Sequence, residues 1–311
     1  MMIRGDFGQK PIMARGRDVL SAWETAQKLG GDKNVRMATM TDVVCGRLSS
    51  GPGQAIWDNH FTTLTSEYLG FDRENNPKLV IVQKAGPLGR IINDYRPTGL
   101  HGFSSEGAYG LLRGARILRT WLCDLLDAEA RGDNDTEISV IEMCEYRILL
   151  ENPFNRVLRA SEALADPLVQ ARLGKLWVEA YVKRHAEHAR LWHAEQAAMP
   201  RCPATTRDIH RKEAATNSDP YIINLGDEES HPYLAKDGPF REISEESGYA
   251  LAHLIWIGGA QPFLYDGCLR LVSKLGCYGW DNTANVIGIQ EGGDISLGLR
   301  NGADPSSDRR V

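Results

Sequence analysis

Residues 166–199 read DPLVQARLGKLWVEAYVKRHAEHARLWHAEQAAM, and the reading of the whole chain turns on this stretch. Asp166 is a strong N-cap candidate, since its carboxylate can accept the amide bonds that a first helical turn leaves open. Pro167 suits the first helical position because it has no amide hydrogen to lose. Helical spacing continues to Met199, where Pro200 and Pro203 stop it. The spacing predicts one helix over 167–198. On a helical wheel Val178, Tyr181, His185, Ala189 and Trp192 share an apolar face. Arg172, Glu179, Lys183, Glu187 and Arg190 line the opposite, solvated one.

This predicted helix holds three of the chain's eight histidines. His185 sits in the middle of the apolar face, and His188 lies one turn away at its flank, so the two can converge. His193 points elsewhere, beside Lys175. A His-x-x-His pair can hold a transition metal when another element adds a carboxylate. Glu142 and Glu145 have the matching three-residue spacing and supply it if their segment, 138–150, is helical. That segment reads equally well as a strand. The competing interpretation of His185 and His188 is a pair of packed core residues, each bonded to a backbone carbonyl.

Working outward, Ser104-Ser105-Glu106 opens a second long helix over 105–130, with an apolar stripe of Leu111, Leu112, Ala115, Leu118, Leu122, Leu125 and Leu126. A first helix is expected over 17–29, ended by Gly30-Gly31. Two more are expected over 244–257 and 262–275. The best strand is 78–83, a short β-branched run. Residues 200–240, rich in proline and charge, read as an irregular arm. The fold class expected is therefore α+β and helix-rich, with long central helices, a small β component and extended terminal arms. The expected domains are a helix-rich main domain over 1–199, a connecting arm over 200–240, and a smaller helical C-terminal region with an extended tail over 241–311.

The 311 residues are 42% hydrophobic and 25% charged, with a formal net charge of −5, so no global field draws the chain to nucleic acid. No apolar run approaches the roughly 20 residues of a membrane helix, and the start lacks a secretory h-region. Six cysteines at wide spacing, without a Cys-x-x-Cys pair, fit reduced thiols and a cytoplasmic setting. Residues 46–53 and 84–90 are glycine-containing loops, but neither carries a phosphate-binding fingerprint. Asp94, Arg96 and His101 fall in a loop that mixes polar and turn residues and are the candidate catalytic groups. No motif specifies a cofactor.

Two functions follow. The first is a structural or assembly subunit, coat-like or filament-forming, which self-associates into a homo-oligomer through residues 1–13 and 290–311. The alternative is a soluble enzyme with a site around His185 and His188 or around Asp94, Arg96 and His101.

Overall fold

The computed structural model describes residues 11–16, 19–31, 34–50, 54–83, 86–93, 115–132, 137–142, 157–201, 203–216, 219, 221–223, 246–258, 269–273 and 284–290. Its strands are β1 (Ile12–Gly16), β2 (Val35–Met37), β3 (Phe61–Phe71), β4 (Pro77–Val82), β5 (Ala115–Leu118), β6 (Ile138–Glu142), β7 (Val157–Arg159), β8 (Tyr221–Ile223), β9 (Tyr249–Ile257), β10 (Leu269–Ser273) and β11 (Ala284–Gln290). The helices are α1 (Val19–Gly30), α2 (Met40–Ser49), α3 (Ala55–Asp58), α4 (Pro87–Asn93), α5 (Arg119–Ala130), α6 (Ala160–Ala165), α7 (Pro167–Leu173), α8 (Val178–Ala198) and α9 (Ala204–Thr216).

Two sheets organise the chain. A three-stranded antiparallel sheet has the order β1-β11-β2. The larger sheet runs β6-β4-β3-β9-β10-β8-β7. Its pairs are antiparallel, apart from a short parallel bridge between β10 and β8. β5 and β10 divide the second edge of β9 between them: β5 pairs with residues 249–252 and β10 with residues 255–257.

The centre of the larger sheet, β3, β4 and β9, is buried on both faces, and alternation along these strands shows how. Phe61, Leu69 and Phe71 of β3, Leu79 and Ile81 of β4, and Leu251, Ile255 and Ile257 of β9 join one core with α2, α3, α6, α7 and α8. Leu64 and Tyr68, Val80 and Val82, and Ala250, Ala252 and Leu254 face the other way. They join a second core with α1, α4, α5 and the small sheet. In this second core α1 buries Trp23 completely and spends its indole N–H on the Ile92 carbonyl at 3.0 Å. Between Thr62 and Ser66 the β3–β9 register shifts. Leu64 N–H there bonds the Ala38 carbonyl at 2.8 Å, and Ala38 N–H bonds Ile287 of β11 at 2.7 Å, which ties the two sheets together.

This architecture corrects the helix-rich expectation. Two antiparallel sheets, not long central helices, form the body. Residues 249–257 and 269–273, expected in helices, are strands. For 249–257 the cause is burial on both sides: a doubly covered strand is a nearly continuous apolar run and loses the alternation that marks a half-buried one. Within 105–130, residues 115–118 form β5 and the helix starts only at Arg119. The single helix over 167–198 is two, α7 and α8, separated at Gly174, whose φ is 81°. Residues 204–216 of the expected irregular arm form α9. β9 and β11 pair with β3, β5, β1 and β2, so residues on either side of 200–240 share both sheets. Of the expected terminal arms, 1–13 and 290–311, Ile12 and Met13 pair with β11 and Gln290 pairs with β2, all within the small sheet. Residues 1–10 and 291–311 lie outside the described residues.

Candidate functional site

Three polar clusters lie in or beside the core. The first sits where β3 meets α7. Thr63, Thr65 and Glu67 occupy the face that also carries Phe61 and Leu69, and all three are fully buried. Thr63 Oγ1 donates to the Ile255 carbonyl at 2.7 Å, and Thr65 Oγ1 accepts from Met40 N–H at 2.7 Å. Gln83 Nε2 donates to the carbonyls of Ala171 and Arg172, while its Oε1 accepts from Thr41 Oγ1 at 3.0 Å. These are last-turn carbonyls of α7, which an ended helix leaves without intrahelical partners. Gln83 satisfies them where Gly174 turns the chain away. Arg172 Nε then meets Glu67 Oε1 at 2.5 Å, with both side chains fully buried. The solvated position expected for Arg172 is thereby corrected: the break at Gly174 takes α7 out of the wheel of α8.

The second cluster surrounds the expected histidines. Arg47 is fully buried. Its Nε donates to the Ile56 carbonyl at 2.8 Å, Nη1 to Tyr181 Oη at 2.6 Å, and Nη2 to the carbonyls of Asn59 at 3.0 Å and Gly258 at 2.9 Å. Trp57 donates its indole N–H to the Arg47 carbonyl at 3.0 Å and stacks on Tyr181 at 6.0 Å between centroids. His188 packs against Trp57 at 4.9 Å. Burial, then the Arg47 and Arg184 cations, hold the His188 imidazolium below the ordinary histidine range. His188 Nε2 is buried and makes no hydrogen bond among the described residues. His185 is 1% exposed and His188 8% exposed, so the apolar face read from the sequence is the buried face of α8. Glu179, Lys183, Glu187 and Arg190 are exposed as expected, whereas Trp192 is only half-buried.

The third cluster joins α8 to α9. His193 Nδ1 lies 3.0 Å from His210 Nδ1, and Trp192 stands edge-on to both rings. His210 falls in the segment read as an arm, and no spacing rule links it to His193 across a turn.

The remaining expected site residues are not brought to these clusters. Asp94, Arg96, His101 and Glu145 lie outside the described residues. Glu142 ends β6, opposite Lys78, in a strand and not in the helix its metal role required. Among the described residues no group of three or more His, Cys, Asp or Glu side chains is arranged to hold a metal. Burial, then Asp42, pushes the Cys45 thiol up to about 12, and burial pushes the Tyr68 phenol up to about 12. No helix among the described residues is long and apolar enough to cross a membrane.

No protein-family model matches the chain, and no curated protein does. A solved structure does match, at a TM-score of 0.54, covering 91% of this chain and 98% of the other at 14% identity. It comes from work on the accommodation of massive sequence variation in Nanoarchaeota by the C-type lectin fold. The fold here is C-type lectin-like. In this lectin-like body the three clusters occupy helix–sheet and helix–helix contacts, where Gln83, Arg47 and Arg172 spend their donors on carbonyls, a hydroxyl and a carboxylate of the scaffold.

Proposed function

We propose that the chain is a recognition module, a lectin-like body that binds a partner, with side chains from the sequence stretches 259–268 and 274–283 taking part in the binding. The carrying observation is how the body uses its polar groups. Buried arginine, glutamine and threonine side chains hold strands and helices together, and the described thiol and phenol with shifted pKa values are held protonated. Such a body supports binding better than covalent chemistry.

Sequence adds the second support. The stretches flanking β10 contain Phe263, Tyr265, Tyr278 and Trp280 among glycines, with Asp266, Asp281 and Asn282. Large rigid aromatics mixed with small adaptable polar residues are the composition of recognition surfaces. The similar Nanoarchaeota protein, described as accommodating massive sequence variation on its fold, is in keeping with this division between a constant body and a variable surface.

The test is binding of the intact chain to protein and glycan arrays, compared with Tyr278→Ala and Trp280→Ala. Loss of a defined binding signal with an unchanged thermal midpoint supports the reading. Absence of any array signal, or a variant that loses its fold, contradicts it.

Self-assembly is the second reading, favoured by β1. This strand is the edge of the small sheet and, among the described residues, pairs only with β11. An open edge offers a row of backbone donors and acceptors to a second copy. Light scattering on the full chain tests it: a particle larger than one chain supports it, and a monomer at high concentration refutes it.

A further inference from the structure

The contact between α8 and α9 holds a pair of nitrogen ligands that the recognition reading does not use. His193 is 4% exposed and His210 is half-buried, so solvent reaches the pair from the His210 side. Their rings are tilted by 43° with centroids 5.3 Å apart, and the two Nδ1 atoms are 3.0 Å apart. Trp192 meets His193 at 4.8 Å and His210 at 5.2 Å, with ring planes at 73° and 89°. The turn between the helices is held by Arg207, whose Nη2 donates to the carbonyls of Met199 at 3.4 Å and Pro200 at 3.2 Å.

Without an ion, one imidazole donates Nδ1–H and the other accepts it. The same two atoms can instead converge on a cation. Two imidazole nitrogens each about 2.0–2.1 Å from a tetrahedral ion lie roughly 3.3 Å apart. The observed separation therefore needs only a few tenths of an ångström of opening. Neutral imidazole suits borderline divalent transition ions better than calcium or magnesium, which take oxygen ligands.

We propose that His193 and His210 bind a divalent transition ion, such as Zn2+ or Ni2+, through their two Nδ1 atoms and that the ion clamps α9 onto α8. The ring that donated Nδ1–H moves that proton to its own Nε2, so both rings bind as neutral imidazoles. Water fills the remaining positions. Glu213 follows His210 by three residues and is half-buried, so helical spacing puts this α9 carboxylate on the His210 face for a third position. This site is separate from His185 and His188, which face the core on another side of α8.

The test uses the full, tag-free chain. Nickel is titrated while tryptophan emission is followed, with Trp192→Phe supplying the background from the other tryptophans. Zinc is added in a parallel thermal melt. A saturable quench that disappears in Trp192→Phe is expected, together with a zinc-dependent rise in the midpoint. His210→Ala, at a half-exposed position, should fold as the parent does and bind at least about tenfold more weakly, the smallest loss typical of disturbing a metal site. His193→Ala should behave alike where it folds. No saturable quench at millimolar nickel overturns the proposal and leaves the pair as a hydrogen bond. Equal affinity in His210→Ala also overturns it.

Discussion

Replacing Glu67 with alanine should be among the most damaging single changes in the body. Glu67 and Arg172 meet at 2.5 Å with both side chains fully buried between β3 and α7. Removing the carboxylate leaves the guanidinium in the core without this partner, and breaking a buried pair in this way destabilises by about 3–5 kcal/mol. The pair itself need not stabilise the fold, because both ions were taken out of water to make it. The double change Glu67→Leu with Arg172→Met removes that desolvation as well, and is expected within about 1 kcal/mol of the parent or above it. The Gln83 bonds in this region go to backbone carbonyls and survive both changes. Urea unfolding followed by tryptophan emission gives the stability of Glu67→Ala and the four stabilities of the cycle formed by the parent, Glu67→Leu, Arg172→Met and the double change. A coupling of at least about 2 kcal/mol is expected, as for residues in direct contact. A Glu67→Ala loss below roughly 1 kcal/mol, the range of exposed pairs, would refute the burial argued for this contact.

Trp23→Ala should lower stability by about 3–5 kcal/mol, since Trp23 is fully buried between α1 and the second core and bonds Ile92; the same unfolding assay checks it. Burial and the Arg47 and Arg184 cations lower the His188 pKa in the folded chain. The unfolded chain therefore binds the proton first, and stability present above the ordinary histidine range near 6.5 is lost as pH falls through it. Thermal midpoints from pH 8 to pH 5 should show this fall, and His188→Phe should flatten part of it. The Cys45 thiol, pushed up to about 12, should resist iodoacetamide at pH 8 in the folded chain and react after unfolding, as peptide mass mapping can show.

Parts of the body were legible because their punctuation is local. Gly30-Gly31 ends α1, the β-branched run 78–82 is β4, and the histidine wheel places Val178, Tyr181, His185 and Ala189 on the buried face of α8, although Trp192 is only half-buried and His193, set off that face, is buried. Strand β3 was not legible. Its sequence FTTLTSEYLGF places threonine, serine and glutamate inside, and only the partners brought by Ile255, Gln83 and Arg172 make that burial tolerable. β9 failed for the opposite reason, being apolar apart from His253. Gly174 could have warned of the break between α7 and α8, since a glycine there takes a φ of 81° that other residues rarely adopt. The meeting of His193 and His210 depends on the α8–α9 turn and leaves no mark in either helix alone.

The proposal that residues of 259–268 and 274–283 serve recognition is tested most directly by randomising Phe263, Tyr265, Tyr278 and Trp280 together and measuring thermal midpoints of the resulting clones. Most clones are expected to stay folded within about 3 °C of the parent, a change of roughly 2 kcal/mol or less for a chain of this size. If most clones unfold or aggregate instead, these aromatics belong to the core, and the recognition surface proposed at 259–268 and 274–283 does not exist.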